Sequence, residues 1–361
     1  GFPTYFMWSP DNGHMGIGGV PAGNGVGGQA KISVDGLFVC GTTYNAVEDY
    51  HEMSRYDVTA GTWTACGGIG GETDAEISSG WAISGDGQTV GGLGWINAGG
   101  AHGMLWNPVD GPIDLGSTVR GQSSRVNALN GDGTVAAGWQ DGAGRQGAVW
   151  VNGVQELIFK PEGGAALEAF DVSADGQWVT GFGIGTFFTN GQAYRYNTVT
   201  DTNENIPNLV VGGAQRMAGS GITDDGATIV GGTWGIGPAT FGNAFIWREG
   251  IGTTTMGAYL DELGIEYPEN FHFAFGAAIS SDGQWIAGWG DIGGPAQIRT
   301  WIVHLPAAGC VADLTDDGMV GADDLAALLA AWGTNGADLD GDGDTGAADL
   351  AILLAAWGAC P

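Results

Sequence analysis

The chain has 361 residues, 43% of them hydrophobic and 15 of them tryptophan, so it can bury a large core and is not a disordered chain. It carries 40 Asp and Glu against 10 Lys and Arg, a formal net charge of −30. This balance argues against binding to nucleic acid or to an anionic membrane, because both need basic patches. No apolar run approaches the roughly 20 residues of a membrane-spanning helix.

The N-terminal stretch from Gly1 to Gly19, GFPTYFMWSPDNGHMGIGG, predicts two short strands joined by a turn. It repeats the back half of a unit that recurs further along the chain, since FMWSPDNGHMGIG parallels MLWNPVDGPIDLG. The chain begins at Gly1 without a charged and then apolar leader, which predicts that any signal peptide has been removed. Together with the acidity, this predicts a secreted protein, extracellular or on the cell surface.

A ten-residue pattern then occurs six times: an apolar residue, Ser, Thr or Asn, any residue, Asp-Gly, two residues, an apolar residue, one residue and Gly. Asp-Gly between alternating apolar runs predicts a hairpin with a type I′ turn, in which both central residues have positive φ. Asp therefore has a turn role here, which we favour over a ring of catalytic acids. The copies contain Asp35, Asp86, Asp132, Asp175, Asp225 and Asp282.

Each hairpin is followed by a Gly-rich loop, a strand that ends in an aromatic residue and, in most copies, a short fourth strand. The aromatic residues are Tyr56, Trp106, Trp150, Tyr196, Trp247 and Trp301. Four short antiparallel strands in units of about 40–50 residues are typical of β-propeller blades. We predict a mainly β, six-bladed propeller whose N-terminal strands complete the last blade. A seventh blade, and an open β-sandwich or β-solenoid, are the alternatives.

These units are similar to the "probable extracellular repeat" group, whose pattern resembles LGG…A…IN.DG..VG…AF.W. The resemblance covers residues 1–306, which we predict as the propeller domain. It implies secretion and a propeller-like fold, but no defined activity.

The repeat domain contains no Gly-x-Ser-x-Gly, His-Glu-x-x-His or phosphate-binding Gly loop. Its five histidines are distant from one another in sequence, and we interpret them as structural. They are His14, His51, His102, His272 and His304. The sequence thus predicts no catalytic residues, no organic cofactor and no enzyme activity.

Aromatic residues also follow the second strand of most blades, and we interpret them as packing between blades. A ring that stacks on a polysaccharide is the alternative. These residues are Trp95, Trp139, Phe182, Trp234 and Trp289. Loop aromatics in the inserts 42–54, 183–191 and 259–275 are better candidates for contact with a partner. They include Tyr44, Tyr50, Phe187 and Phe188.

After the short linker 305–309, the segment 310–361 contains one unit twice, so that Asp313 and its neighbours recur from Asp338 onward. Calcium takes oxygen ligands from positions 1, 3, 5, 7 and 12 of a twelve-residue loop, with Gly at position 6. The sequence therefore predicts two Ca²⁺ sites, with the carbonyls of Met319 and Asp344 as the position-7 ligands. The predicted ligands are Asp313, Thr315, Asp317, Met319 and Asp324 in loop one, and Asp338, Asp340, Asp342, Asp344 and Asp349 in loop two.

Two calcium loops with Asp at position 12, each followed by one helix, resemble a dockerin, the calcium-dependent module that plugs into cohesin domains. The resemblance covers the predicted domain 307–361. It departs from the family at Thr315, which stands for Asn or Asp at position 3. It also departs at the helix starts, where Ala322-Asp323 and Ala347-Ala348 replace the recognition hydroxyls. The resemblance implies calcium-dependent folding and a protein partner.

Four cysteines allow three pairings. Cys310 and Cys360 bracket the calcium module, as the two ends of a disulfide clasp would, which leaves Cys40 with Cys66 by elimination. Disulfides imply an oxidising, extracytoplasmic location. Free buried thiols are the alternative.

Taken together, the sequence predicts a secreted, non-enzymatic assembly protein. Its tail docks on a cohesin-like domain or on another copy of the chain, so that copies build a filament, surface layer or complex. The second hypothesis is a carbohydrate-binding or polysaccharide-degrading propeller that its tail tethers to a complex. The third is a tail that only stabilises its own chain.

Overall fold

The protein is described from a computed structural model, which describes residues 4–19, 28–70, 77–96, 100–183, 191–209, 216–234, 242–294, 297–305, 312–315, 317, 319–340 and 342–359. The chain divides into two compact units. One comprises residues 1–281 and 287–301, and the other comprises residues 282–286 and 302–361. The predicted boundary between residues 306 and 307 stays a prediction.

The strands of the repeat region form one hairpin and six antiparallel sheets, which we call blades 1 to 6. The hairpin has β1 (Tyr5–Ser9) and β2 (Gly13–Gly18), and blade 1 has β3 (Lys31–Ile32), β4 (Phe38–Asn45), β5 (Tyr50–Asp57) and β6 (Thr62–Ala65). Blade 2 has β7 (Ser78–Ile83), β8 (Val90–Ile96), β9 (Gly100–Asn107) and β10 (Gly111–Asp114). Blade 3 has β11 (Ser124–Leu129), β12 (Val135–Asp141), β13 (Arg145–Val151) and β14 (Val154–Leu157).

Blade 4 has β15 (Glu168–Val172), β16 (Trp178–Phe182), β17 (Ala193–Asn197) and β18 (Thr202–Asn205). Blade 5 has β19 (Arg216–Ile222), β20 (Thr228–Trp234), β21 (Ala244–Arg248) and β22 (Gly252–Thr255), followed by helix α1 (Met256–Glu262). Blade 6 has β23 (Phe271–Ile279), β24 (Trp285–Ile292) and β25 (Ile298–His304). In each of blades 1 to 5, the four strands pair in chain order, which confirms the predicted four-stranded unit. No helix among the described residues is both long and apolar enough to span a membrane.

The Asp-Gly turns differ from the predicted type I′ turns. In blade 4, the Gly176 amide donates to the Ser173 carbonyl at 2.9 Å, so the turn encloses Ala174 and Asp175. Only the glycine has positive φ, at +78°. The Asp175 carboxylate accepts hydrogen bonds from the Ser173 hydroxyl at 2.6 Å and from the Gln177 amide at 2.9 Å. The backbone bond thus closes the turn, the Asp side chain stabilises it, and the glycine supplies the left-handed residue.

The turns of successive blades are joined by hydrogen bonds, and we call this set the turn belt. The bonds run from Val34 N to Gly85 O (2.9 Å), Gly85 N to Asn130 O (3.2 Å), Gly131 N to Ala174 O (2.8 Å), Ala174 N to Asp224 Oδ1 (2.7 Å) and Asp224 N to Ser281 O (3.0 Å). Residues from all six blades line one cavity of about 170 Å³ at this belt. The blades are thus arranged around a common axis, as a six-bladed propeller requires.

The N-terminal hairpin packs on blade 1 and does not complete the last blade. Tyr5 and Ile17 are buried against Val39 and Tyr56, and the Trp63 indole donates to the Ile17 carbonyl at 2.6 Å. β1 and β2 form their own two-stranded sheet, while blade 6 has three strands among the described residues. The predicted strand closure was wrong because these aromatic contacts direct the hairpin to blade 1.

Buried arginines join neighbouring blades through aromatic rings. The Arg195 guanidinium lies 4.7 Å from the Trp178 ring centre in its own blade and 4.9 Å from the Trp247 ring centre in blade 5. It also donates to the Gly226 carbonyl at 3.0 Å. Arg55 repeats the arrangement with Phe38, Trp106 and the Gly87 carbonyl. Cation–π contacts of this desolvated kind stabilise the blade interfaces.

The aromatics after the second strands also serve packing where their side chains are described. Trp139 is 4% exposed and lies under the guanidinium groups of Arg125 and Arg145. Trp289 stacks on Phe275 at 4.4 Å. Trp95 and Phe182 are half-buried, and the Trp234 side chain lies outside the described part. The contacts of Trp139 and Trp289 match the packing interpretation rather than a sugar-binding ring.

Cys40 and Cys66 are free thiols, so the predicted disulfide between them is not present. Both lie in one core cluster with Met53, Met104 and Trp106. The Cys40 sulfur accepts a hydrogen bond from the Lys31 amide at 3.3 Å. Each cysteine therefore behaves as a small hydrophobic core residue. Cys310 and Cys360 lie outside the described residues.

We expect both thiols to resist alkylation in the folded protein. Burial raises the pKa of Cys40 to about 12 and also raises the pKa of Cys66, so little reactive thiolate forms at pH 8. Peptide-resolved mass spectrometry should find neither residue labelled by iodoacetamide in native protein. Both should be labelled after unfolding without a reductant. A requirement for reductant would contradict the free-thiol assignment.

Two glycine substitutions should separate backbone strain from steric clash. Gly153 (φ +80°) has open space around an added Cβ, whereas at Gly226 (φ +69°) a Cβ would lie 2.6 Å from the Trp178 ring. We expect Gly153→Ala to lower the free energy of unfolding by about 1 kcal/mol, through left-handed strain alone. Gly226→Ala should cost about 2–4 kcal/mol because Trp178 must also move. Urea unfolding of both variants measures this, and equal losses would contradict the packing account.

Candidate metal centre

The second compact unit contains two loop–helix segments with the same local design. Helix α2 (Ala322–Ala330) follows the first loop and helix α3 (Ala347–Ala355) follows the second. Short strands β26 (Met319–Val320) and β27 (Gly358–Ala359) pair with each other and bring the two ends of the module together. Val320, Leu328, Ala337 and Leu353 form its buried core with Ala312. The helices follow from runs of Ala and Leu, both strong helix formers.

The aspartate at loop position 12 fixes the start of each helix. The Asp324 Oδ2 accepts the Gly321 amide at 2.7 Å, and the Asp349 Oδ2 accepts the Gly346 amide at 2.5 Å. Gly321 and Gly346 have the same φ, −141°. A carboxylate at the third helical residue that bonds the N-cap amide is the backward half of a capping box. Both aspartates are therefore held by their helix ends and are 1% exposed.

In loop one, three of the predicted ligands lie together. One carboxylate oxygen from each of Asp313, Asp317 and Asp324 lies within 4.8 Å of the others. The Asp313 Oδ1 accepts the Asp317 amide at 3.2 Å, and the Asp317 Oδ1 accepts the Met319 amide at 2.9 Å. The Thr315 hydroxyl donates to the Asp324 Oδ1 at 2.9 Å. Thr315 therefore contacts the position-12 carboxylate, and loop one has three clustered acids.

Loop two brings Asp338, Asp340 and Asp342 to within 4.8 Å of one another. The Asp338 carboxylate accepts the amides of Asp342 at 3.1 Å and of Gly343 at 2.8 Å. Gly343 has φ +94°, as the sharp turn at position 6 requires. The Asp342 Oδ1 accepts the Asp344 amide at 2.9 Å, which repeats the bond to Met319 in loop one.

Asp349 accepts amides of its own loop, as Asp324 accepts the Thr315 amide at 3.0 Å. Its Oδ1 accepts the amides of Leu339 at 2.6 Å and Asp340 at 3.2 Å. The pKa of Asp324 is lowered mainly by the hydrogen bond from the Gly321 amide, and the pKa of Asp349 mainly by that from the Gly346 amide. Other backbone amides of each loop add to the effect. Both position-12 carboxylates are thus stabilised as anions by their own loops.

Like charges crowd the other positions of loop two. The Asp342 amide lowers the pKa of Asp340, but partial desolvation and the neighbouring carboxylates of Asp342, Asp349 and Asp338 outweigh it and raise that pKa. Carboxylates that repel one another in this way are relieved by a bound cation. The donors in both loops are all oxygen atoms, with no thiol or imidazole among the described side chains of either cluster. The two clusters can bind metal ions, and their chemistry fits hard cations.

The structure also shows a duplicated apolar surface that the sequence analysis did not identify. Leu329 and Trp332 near the end of α2 are 53% and 46% exposed, and Leu354 and Trp357 near the end of α3 are 53% and 49% exposed. The second pair occupies the same positions of its repeat as the first pair does. The repeated Leu-x-x-Trp spacing was the available signal in the sequence.

The remaining predicted residues do not form a second centre. His102 bonds Asp114 at 2.9 Å and His272 bonds Asp291 at 3.0 Å, in different blades. The other histidines contact aromatic rings: His14 with Phe6, His51 with Tyr44 and His304 with Trp285. These contacts match the structural interpretation of the histidines.

The predicted inserts are partly regular structure. Residues 42–54 belong to the β4–β5 hairpin, where Tyr44 is exposed and Tyr50 is half-buried. Residues 259–275 contain the end of α1 and the start of β23. Phe187 and Phe188 lie outside the described residues.

No family model matches the sequence, and no curated protein matches it. Solved structures do match the fold. An oligogalacturonate lyase from Vibrio parahaemolyticus has a TM-score of 0.51 at 10% identity, over 84% of this chain and 83% of that one. The β-propeller domain of the Trilobed protease from Pyrococcus furiosus has a TM-score of 0.49 at 13% identity, over 76% and 80%. TolB from Acinetobacter baumannii has 0.42 at 12% identity, over 61% of this chain but only 51% of its own length.

These matches correct the functional prediction from sequence. The prediction of a non-enzymatic scaffold that builds filaments or surface layers was wrong. It rested on missing catalytic motifs, whereas a propeller of similar fold occurs in a protein named as a lyase. At these identities the likeness shows the fold alone: the chain is mainly β and contains a β-propeller.

Proposed function

We propose that residues 307–361 form a dockerin-like module that binds two Ca²⁺ ions and, in its calcium-bound form, docks a protein partner. The observation that carries the proposal is the duplicated loop design. In each loop a clustered carboxylate set sits before a helix whose N-cap amide is held by the position-12 aspartate.

Calcium is favoured over other cations by the donor set and the loop length. Zinc prefers thiolate and imidazole ligands, which neither cluster supplies among its described residues. Magnesium keeps several of its own waters and is bound through one or two carboxylates, whereas each loop clusters three. Twelve-residue loops with acids at positions 1 and 5 and a carboxylate at 12 suit calcium.

The two sites should differ in affinity. Loop one offers Asp313, Asp317 and Asp324, while loop two adds a fourth acid at position 3, Asp340. More carboxylate ligands give tighter calcium binding at comparable rigidity. Loop two is therefore the tighter site, and loop one fills at higher calcium concentration.

The partner surface is proposed to be the two exposed Leu–Trp pairs at the ends of α2 and α3. Tryptophans at the centre of an interface commonly contribute most of the binding energy. Binding of calcium orders the loops that start both helices, so it also positions these side chains. A cohesin-like domain is the expected partner. The proposal includes secretion, which places the module in a calcium-containing medium.

We expect calorimetric titration of the full chain to give two calcium ions per molecule. The double variant Asp338→Asn/Asp342→Asn should remove the tighter site and leave one ion, because two of its carboxylate donors become neutral. Asp132→Asn, which changes a propeller turn, is the matched control and should keep both ions. Binding of two ions by the double variant would contradict the assignment of loop two.

Replacement of both exposed tryptophans, Trp332→Ala with Trp357→Ala, should weaken capture of a cohesin domain by at least about 100-fold. Calcium stoichiometry should remain two, because neither residue is a predicted ligand. Val109→Ala removes a more exposed apolar side chain, 88% exposed, from the propeller and should change nothing. Surface plasmon resonance against purified cohesin domains, in calcium and in chelator, makes the comparison. If the protein binds none of the cohesin domains in calcium, the docking part of the proposal is wrong. The calcium titration tests the metal sites separately.

A further inference from the structure

One ring of equivalent positions in the propeller carries two charged residues on opposite blades. The position lies just before the apolar residue that opens each Asp-Gly motif. Its occupants in blades 1 to 6 are Lys31, Ala82, Ala128, Asp171, Gly221 and Ala278. Four of the six are Ala or Gly, so only blades 1 and 4 have a large side chain at this position. In a ring of six, these two blades face each other across the axis.

Lys31 and Asp171 meet at the axial cavity. The Lys31 Nζ lies 3.8 Å from the Asp171 Oδ1 and donates to the Phe170 carbonyl at 3.3 Å. Their side chains are 27% and 24% exposed, and both border the cavity of about 170 Å³. The small residues at the other four positions leave room for the long lysine side chain to reach across.

Asp171 is also bonded to the next blade. Its Oδ2 accepts the Ile222 amide of blade 5 at 3.1 Å. Asp224, which belongs to the turn belt, bonds Ala174 of blade 4 and Ser281 of blade 6 and adds a second negative charge nearby. Burial raises the pKa of Asp171, while Lys31 lowers it, so the lysine compensates a carboxylate that is costly to bury alone.

No strand pairing between the hairpin or blade 1 and blade 6 is found in the described part of the chain. The turn-belt bonds join blades 1 to 6 in order. Among the described residues, no backbone hydrogen bond between Ser281 of blade 6 and Val34 of blade 1 closes the belt. Blade 1 therefore depends on contacts other than strand closure.

We propose that Lys31 and Asp171 form an axial latch, an ion pair across the propeller axis that holds blade 1 against blade 4 and keeps the ring closed. Exposed ion pairs contribute little to stability, but a partly buried pair has a larger effect when one partner is removed. The latch predicts that loss of either charge loosens blade 1 first, and blades 2 and 3 less.

Hydrogen exchange of the full-length, calcium-loaded protein tests the latch. In Lys31→Met, amide exchange in β3 and β4 should accelerate at least about tenfold, while exchange in β11 and β12 stays near the wild-type rate. Lys160→Met removes the lysine of the Lys160–Glu162 pair, whose carboxylate is 54% exposed, and should leave β3 and β4 unchanged.

A double-mutant cycle completes the test. In the double variant Lys31→Met/Asp171→Asn, amides of β3 and β4 should exchange more slowly than the product of the two single effects predicts. The reason is that neither partly buried charge is then left without its partner. Additive effects, or wild-type exchange in Lys31→Met, would overturn the proposal. If Lys31→Met does not fold, Asp171→Asn, which keeps the side-chain volume, gives the same measurement in β3 and β4, and wild-type exchange there would overturn it equally.

Discussion

The crowding of carboxylates in two twelve-residue loops is the constraint on which the C-terminal unit depends. Asp313, Asp317 and Asp324 converge in one loop, and Asp338, Asp340 and Asp342 converge in the other, with Asp349 bonded beside them. The small core of this unit has few large side chains, and both helices begin at residues of these loops. Under the proposed function, a cation bound by each loop also fixes the start of each helix, so that metal binding and folding are coupled.

The propeller is stabilised by different contacts. In each Asp-Gly turn the Asp carboxylate accepts an amide of its own turn, and the turn belt joins the blades near the axis. Arginines between aromatic rings join the blades further along their strands. These contacts are repeated from blade to blade, whereas the Lys31–Asp171 pair occurs once. The repeat region thus combines periodic neighbour contacts with one contact across the ring.

Much of the fold could be predicted from sequence because its signals are local and repeated. The Asp-Gly motif marked the turns, and the aromatic residues at the ends of the third strands marked the repeat unit. The turn type was wrong because the closing backbone bond joins Gly to the residue three positions before it, as from Gly176 N to Ser173 O, so Asp-Gly occupies the last two positions of the turn. The N-terminal closure and the Cys40–Cys66 pairing failed because both depend on three-dimensional packing. Tyr5 contacts blade 1, and each sulfur has its own core neighbours.

The candidate metal ligands were recognisable because loop spacing fixes which carboxylates converge. The role of Thr315 as a donor to Asp324 needed the structure, as did the exposed Trp332 and Trp357. The cross-axis pairing of Lys31 with Asp171 was also hidden, since the two belong to blades 1 and 4 and are far apart in sequence.

The most direct test of the account compares amide hydrogen exchange in calcium and in chelator across the whole chain. The account predicts that α2 and α3 lose their protection when calcium is removed, while β11 to β17 of the propeller keep theirs. Equal protection of α2 and α3 in both conditions would show that the unit folds without a metal ion and would contradict the central claim.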